Sequence, residues 1–154
     1  MADALDTYIG QLNTLADNLD SIVSTTIEKN GNLVVGMVKK RLIGSGKDAD
    51  DKLIGGGQYS AVTIADKNRF SGNEGITSHF TLFHFGDFHD GMFVQQVGKN
   101  ALITSSDQKT NLLISEYGEA ILGLNDEETE VVAEQIIDPE LQKIINKQIS
   151  FIEL

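Results

Sequence analysis

Residues 3–29, DALDTYIGQLNTLADNLDSIVSTTIEK, carry the pattern that decides the fold of this chain. Their apolar side chains recur in steps of three and four, which is the period of an α-helix with one apolar face. The sequence therefore predicts a long amphipathic helix whose face packs on the chain's own core or on a neighbouring subunit. The seam consists of Leu5, Tyr8, Leu12, Leu15, Leu19 and Ile22, and Ile9, Ala16 and Val23 widen it.

The helical period resumes beyond Asn30-Gly31, a pair that predicts a C-cap or kink, and it continues to about residue 43. We therefore expect an N-terminal helical region over residues 3–43. Residues 44–73 are rich in Gly, Asp, Ser and Lys and predict a long, largely irregular loop. Because such a stretch in a compact domain is usually functional or ordered by a partner, this loop is a candidate assembly segment.

Residues 76–105 predict a small antiparallel sheet. Three short apolar stretches lie at about 78–84, 92–98 and 100–105, and Gly98-Lys99-Asn100 predicts a tight turn between the last two. The stretch HFTLFHFGDFHDGMFV (79–94) then forms the hinge of the sheet, with a turn at Gly86-Asp87-Phe88.

C-terminal helices are predicted over residues 106–150. Ser106 or Asp107 can cap the first helix, and Gly118 is its expected stop. Asn125 with Glu128 three residues later resembles a capping box, and Asp138-Pro139 begins the last helix. The fold class expected from the whole chain is α+β, with helices at both ends and the sheet between them.

Length and charge limit the classes of function. The 154 residues suit a single domain over 1–154, with a net charge of −11, 40% hydrophobic residues and no cysteine. This acidity argues against sequence-specific nucleic-acid binding. No apolar run approaches the roughly 20 residues that span a bilayer, and no secretion signal opens the chain. We therefore expect a soluble protein made in a cytoplasm, without membrane contact.

The charge is unevenly distributed. Lys39, Lys40 and Arg41 form the basic neighbourhood with Lys47 and Lys52, whereas nine acidic residues and no cation lie between Lys109 and Lys143. Opposite charge at two ends of a small protein suits head-to-tail or lateral assembly of copies, although two solvated helix faces explain the charges equally well.

The three histidines raise the question of a metal or catalytic centre. The histidines recur at intervals of five, at His79, His84 and His89. On a strand or on a helix, this interval places neighbouring histidines on different sides. A bend could still bring Asp87 and Asp90 near them. Packing and hydrogen bonding among the phenylalanines is the simpler interpretation, and a cation site in residues 79–90 or at Asp48–Asp51 stays open.

Other motifs fail their requirements. GSGK (44–47) lacks the first glycine and the final Ser or Thr of a phosphate-binding loop. DADDKLIGGG (48–57) has Leu53 where a calcium loop needs glycine, and its bidentate glutamate is missing. No nucleophile elbow or Ser, His and Asp set is assignable. We therefore expect neither an enzyme nor a cofactor.

Several short motifs follow one another over roughly residues 32–130. They are a Tyr-Ser, Thr, Lys loop, a Gly-Asp-Phe turn, a Ser-Ser-Asp-x-Lys segment and a Tyr-Gly stop. Their positions are Tyr59, Ser60, Thr63, Lys67, Gly86, Asp87, Phe88, Ser105, Ser106, Asp107, Lys109, Tyr117 and Gly118. In this order they resemble the virion-morphogenesis and tail-completion (head-tail joining) proteins of tailed bacteriophages, in which threonine is usual at the position of Phe85.

This resemblance implies a structural virion protein that forms a ring of copies at the neck and contacts neck, portal or tail proteins. A phage-encoded acidic regulatory protein that binds a host protein is the alternative, and a metal-dependent enzyme comes last. The candidate interaction residues are Lys39, Lys40, Arg41, Tyr59, Ser60, Phe151 and Ile152.

Overall fold

The computed structural model describes residues 2–70 and 76–150, with side chains over 5–69 and 76–147. It confirms the α+β class, with a long N-terminal helix, a two-stranded antiparallel sheet and C-terminal helices. The helices are α1 (Ala2–Lys29), α2 (Gly31–Ser45), α3 (Ala61–Phe70), α4 (Asp87–Asp90), α5 (Thr110–Tyr117), α6 (Asp126–Val132) and α7 (Asp138–Ser150). The strands are β1 (Met92–Val97) and β2 (Asn100–Ser105), and single 3-10 turns occur at Ile54–Gly57 and Glu119–Ile121.

The two N-terminal helices are separated at Asn30, as the sequence predicts. The Asn30 amide Nδ2 donates to the Thr26 carbonyl at 2.9 Å and caps the end of α1. A Cβ at Gly31 would lie 3.3 Å from the Val94 side chain, so glycine lets the start of α2 approach β1 closely. Helix α2 ends at Gly46, which adopts φ +64° and donates its N–H to the Leu42 carbonyl.

The core lies where α2 crosses the β1–β2 hairpin and meets the C-terminal helices. Helix α1 contacts both strands through its C-terminal part, where Thr26 is buried and Ile27 packs against the core. The buried apolar side chains are Val34, Val35, Val38, Leu42, Ile54, Phe88, Met92, Val94, Ile121, Leu122, Val132 and Ile136.

The sheet has two strands instead of the predicted three. Residues 78–84 are not a strand in this structure, since Leu82 has a φ of +54° and the backbone bends. The Thr81 N–H donates to the Tyr59 hydroxyl at 2.8 Å, and the Thr81 carbonyl accepts from His89. Side chains thus take the hydrogen bonds that a neighbouring strand would have made, so the apolar alternation of 78–84 does not produce a ladder.

The predicted irregular loop over 44–73 is also wrong in part, because α3 lies within it. Ser60 starts this helix, since its Oγ accepts from the Thr63 N–H at 3.2 Å and its carbonyl accepts from the Ile64 N–H at 2.9 Å. Earlier in the same segment, Lys47 and Leu53 form an isolated antiparallel bridge. The glycines and aspartates around α3 are typical of loops, so the composition of the segment did not predict this short helix.

The C-terminal helices follow the prediction more closely. Helix α5 begins at Thr110, later than the predicted caps at Ser106 or Asp107, and Gly118 ends it with φ +88°. Asn125 and Glu128 form the predicted capping box. Helices α6 and α7 are joined through a π-turn at Ala133–Ile137. This turn accommodates Pro139, which has no N–H to donate, near the start of α7.

Candidate functional site

A cavity of about 480 Å³ lies between α3, residues 80–88 and α5. Its walls are mainly aromatic and aliphatic, and its volume is in the range of small-molecule sites, about 300–1,000 Å³. Phe85 and Val62 stand exposed on its lining. The other lining residues are Tyr59, Thr63, Asp66, Lys67, Phe80, Leu82, Phe83, His84, Gly86, Asp87, Phe88, Asp107, Lys109, Leu113 and Tyr117.

Lys67 and Tyr59 form the polar part of this wall. The Lys67 side chain is almost fully buried, and its Nζ donates to the Phe83 carbonyl, to Thr81 Oγ1 at 3.3 Å and to the Tyr59 hydroxyl at 3.4 Å. The ammonium also lies 4.7 Å from the centroid of the Tyr59 ring. These contacts attach α3 to residues 81–83, so Lys67 and Tyr59 hold the framework around the cavity.

Tyr117 closes the cavity from α5. Burial raises the pKa of Tyr117 to about 12, and a hydrogen bond with Glu116 acts in the same direction. The phenol therefore stays protonated at neutral pH and can act only as a neutral hydrogen-bonding group.

The three histidines hydrogen-bond to three different partners. His79 Nε2 donates to the Ile43 carbonyl at 2.8 Å, and His89 Nε2 donates to the Thr81 carbonyl at 2.8 Å. His84 Nε2 lies 3.0 Å from Asp66 Oδ2 at the cavity. Within the described residues, no group of three or more His, Cys, Asp or Glu could hold a metal ion. Each of the three imidazoles is thus held by a different carbonyl or carboxylate.

The Asp48–Asp51 loop is organised by its own backbone. Asp48 is buried, and its Oδ1 accepts from the Asp50 and Lys52 N–H groups at 2.9 Å each. Lys52 also contacts Asp50 at 3.0 Å, and this hydrogen bond raises the pKa of Lys52. The carboxylates are thus directed to N–H groups and lysines of the same loop.

The basic triplet is divided between interior and surface. Arg41 is buried and forms an ion pair with Glu128, also donating to the Gly123 carbonyl at 2.8 Å. Arg41 is therefore a framework residue and not part of an exposed basic patch. Lys39 is half-buried and Lys40 is exposed.

The basic and acidic residues are not at two ends of the molecule, as the position of Lys40 shows. Lys40 lines a groove of about 450 Å³ between α2 and α6 together with Lys47, Glu127 and Glu128. The basic neighbourhood and the acidic start of α6 therefore lie side by side within one chain. This local pairing weakens the argument for head-to-tail assembly by charge alone.

The other candidate interaction residues are placed unequally. Tyr59 is half-buried and engaged with Lys67, whereas Ser60 is exposed at the start of α3. Phe151 and Ile152 lie outside the described residues.

The sequence left open whether the apolar face of α1 packs on the chain's own core or on a neighbouring subunit, and this question concerns the N-terminal part of the helix. Leu5, Ile9, Leu12 and Leu19 are all exposed there, in contrast with the buried Thr26 near the end of the same helix. The C-terminal part of the apolar face thus packs on the chain's own core. The N-terminal part is a solvent-exposed apolar stripe and therefore a candidate interaction surface.

The fold and these surfaces define a helix-rich α+β protein with an aromatic cavity and an exposed helical stripe. No protein-family model, curated protein or solved structure matches the chain. Among the described residues, no helix is long and apolar enough to cross a membrane.

Proposed function

We propose that this chain is a structural virion protein of a tailed bacteriophage, forming part of an oligomeric ring at the head-tail junction. The observation that carries the proposal is the exposed apolar stripe of α1, because a protein that works alone in water gains nothing from such a face. An assembly protein needs surfaces that other subunits will cover, and the stripe is one.

The positions that carry the resemblance to tail-completion proteins support the same proposal. Tyr59 and Lys67 attach α3 to residues 81–83, and Gly86 takes a φ of +96° before α4. Gly118 ends α5. Each of these residues fixes the course of the backbone, as expected for motifs that preserve a shape.

Purified virions would test this proposal. We expect peptides of the chain in virions by mass spectrometry, and density for α1 against another subunit in cryo-electron microscopy of the neck. A phage with a stop codon in this gene should accumulate filled heads and free tails that fail to join. Absence of the chain from virions, together with normal particles from the mutant phage, would refute the proposal.

The second candidate function is a phage-encoded regulatory protein that binds a host protein. The aromatic cavity with Phe85 and Val62 exposed on its lining favours it, since an apolar side chain of a partner could enter there. Substitution of Phe85 by Ser should then abolish capture of one host protein while leaving particles intact. Unjoined particles from the stop-codon mutant would instead favour the head-tail junction.

A further inference from the structure

The exposed stripe of α1 has the spacing of a helix-pairing seam. Its large apolar members are Leu5, Ile9, Leu12 and Leu19, exposed by 59%, 47%, 40% and 41%. With the exposed Ala16 they follow one another at intervals of four, three, four and three. This alternation keeps all five on one side of a helix over four turns, which is the pattern that lets two helices pack along each other.

No charge lies on the stripe. At about 100° per residue, Asp6 and Asp17 point roughly 100–120° away from its centre. Asp20 is closer, roughly 60° away by the same rotation, and it contacts Lys99 at 3.7 Å. Two identical copies of this acidic helix can therefore meet along the stripe without placing like charges opposite each other.

The rest of the protein decides the direction of such a pair. Ile27 lies on the same side of α1 as the stripe, and it packs against the core cluster. The body thus projects on the stripe side beyond about residue 23. Two parallel helices would bring both bodies to the same place, whereas two antiparallel helices put one body at each end.

We propose that the stripe binds the same stripe of a second copy, with the two α1 helices antiparallel and Leu12 of each copy near the twofold axis. This inference does not depend on the function at the head-tail junction. An isologous pair closes on itself, so in the proposed ring the stripe would join subunits in pairs and further surfaces would join the pairs.

The size of the stripe predicts how tight the pair is. Residues 5–23 of a helix are about 28 Å long, and a helix is about 10 Å wide. Two such strips together cover about 560 Å², below the roughly 1,000 Å² above which stable specific contacts are usually found. We therefore expect a weak, concentration-dependent dimer with a dissociation constant of roughly tens of micromolar.

The direction of the helices can be read from cross-linking, since the natural chain has no cysteine. In the antiparallel pair the two copies of residue 12 lie within roughly one helical turn along the axis, and the two copies of residue 5 are several turns apart. A short bismaleimide linker should join Leu12→Cys into covalent dimers and leave Leu5→Cys monomeric. Efficient cross-linking of both variants would indicate parallel helices and overturn the proposal.

A matched pair of charge variants tests the contact itself. Leu12→Asp places a charge in the stripe, and Thr14→Asp places the same charge on the opposite side of the helix, roughly 180° from the stripe centre. By sedimentation and native mass spectrometry, we expect Leu12→Asp to raise the dimer dissociation constant at least tenfold and Thr14→Asp to leave it within twofold. Helical circular dichroism should be the same for both, because neither side chain is buried. If the protein without substitutions stays monomeric at hundreds of micromolar, the proposal is overturned, even if virions contain the chain.

Discussion

Removing the charge of Arg41 should strongly destabilise this protein. Both charged groups of the Arg41–Glu128 pair are buried, and Arg41 also donates to the Gly123 and Lys47 carbonyls. Arg41→Met leaves the Glu128 carboxylate in the interior without its counter-charge. Breaking a buried pair in this way costs about 3–5 kcal/mol, out of a total stability of about 5–15 kcal/mol.

The matched control is Lys40→Met, which removes a neighbouring cation from the exposed side of the same helix. It should change stability by less than about 0.5 kcal/mol. Urea unfolding followed by circular dichroism measures both variants. With a slope of about 1–3 kcal/mol/M, Arg41→Met should lower the midpoint by roughly 1 M or more at an unchanged slope.

A double-mutant cycle separates the ion pair from the packing of the two side chains. Glu128→Gln keeps an oxygen that can accept from the Asn125 N–H in the capping box, and it removes the charge. The double variant Arg41→Met with Glu128→Gln should lose at least about 1 kcal/mol less than the sum of the single losses. Additive losses, or equal midpoints for Arg41→Met and Lys40→Met, would refute a buried, coupled pair.

Three further predictions concern backbone, cap and titration. Gly46→Ala should lower the free energy of unfolding in urea by about 2 kcal/mol or more, because φ is +64° and the new Cβ would lie 2.6 Å from neighbouring atoms. The control is Gly44→Ala, which lies in open space on α2 and should stabilise the protein by about 0.5–1 kcal/mol. Asn125→Ala should cost about 1 kcal/mol, measured in the same way, through loss of the cap on α6. The pKa of Tyr117 is about 12 in the folded protein and near 10 in the unfolded chain. The stability that this difference contributes is therefore complete below pH 10 and is lost as pH rises through 12. Between pH 10 and 12, the free energy of unfolding of Tyr117→Phe should fall less steeply than that of the unsubstituted protein; an equal slope would contradict the raised pKa.

Local patterns succeeded where one segment contains all the required information. The period of residues 3–29, the break at Asn30-Gly31 and the capping box at Asn125 are set by neighbours within a few positions, and all three are present. Hydrogen bonds within a helix or its cap need no distant partner, so the sequence is enough to place them.

Patterns that depend on distant partners were the ones that failed. The apolar alternation of 78–84 favours a strand, but its backbone binds Tyr59 and His89 and finds no neighbouring strand. Helix α3 lies in a stretch of loop-like composition, and its cap at Ser60 was the local signal available for it. Arg41 belongs to a run of cations, and only the approach of Glu128 from α6 shows that it is buried.

The sequence by itself determined the α+β class, the length of α1 and the existence of an apolar face on that helix, because these follow from local periodicity. It could not determine which part of the face is covered, since a periodic stripe is the same whether it meets a core or a solvent. The tertiary structure decided this. The sheet and the π-turn meet α1 only towards its C-terminal end, so Thr26 is buried and the stripe from Leu5 to Leu19 remains exposed.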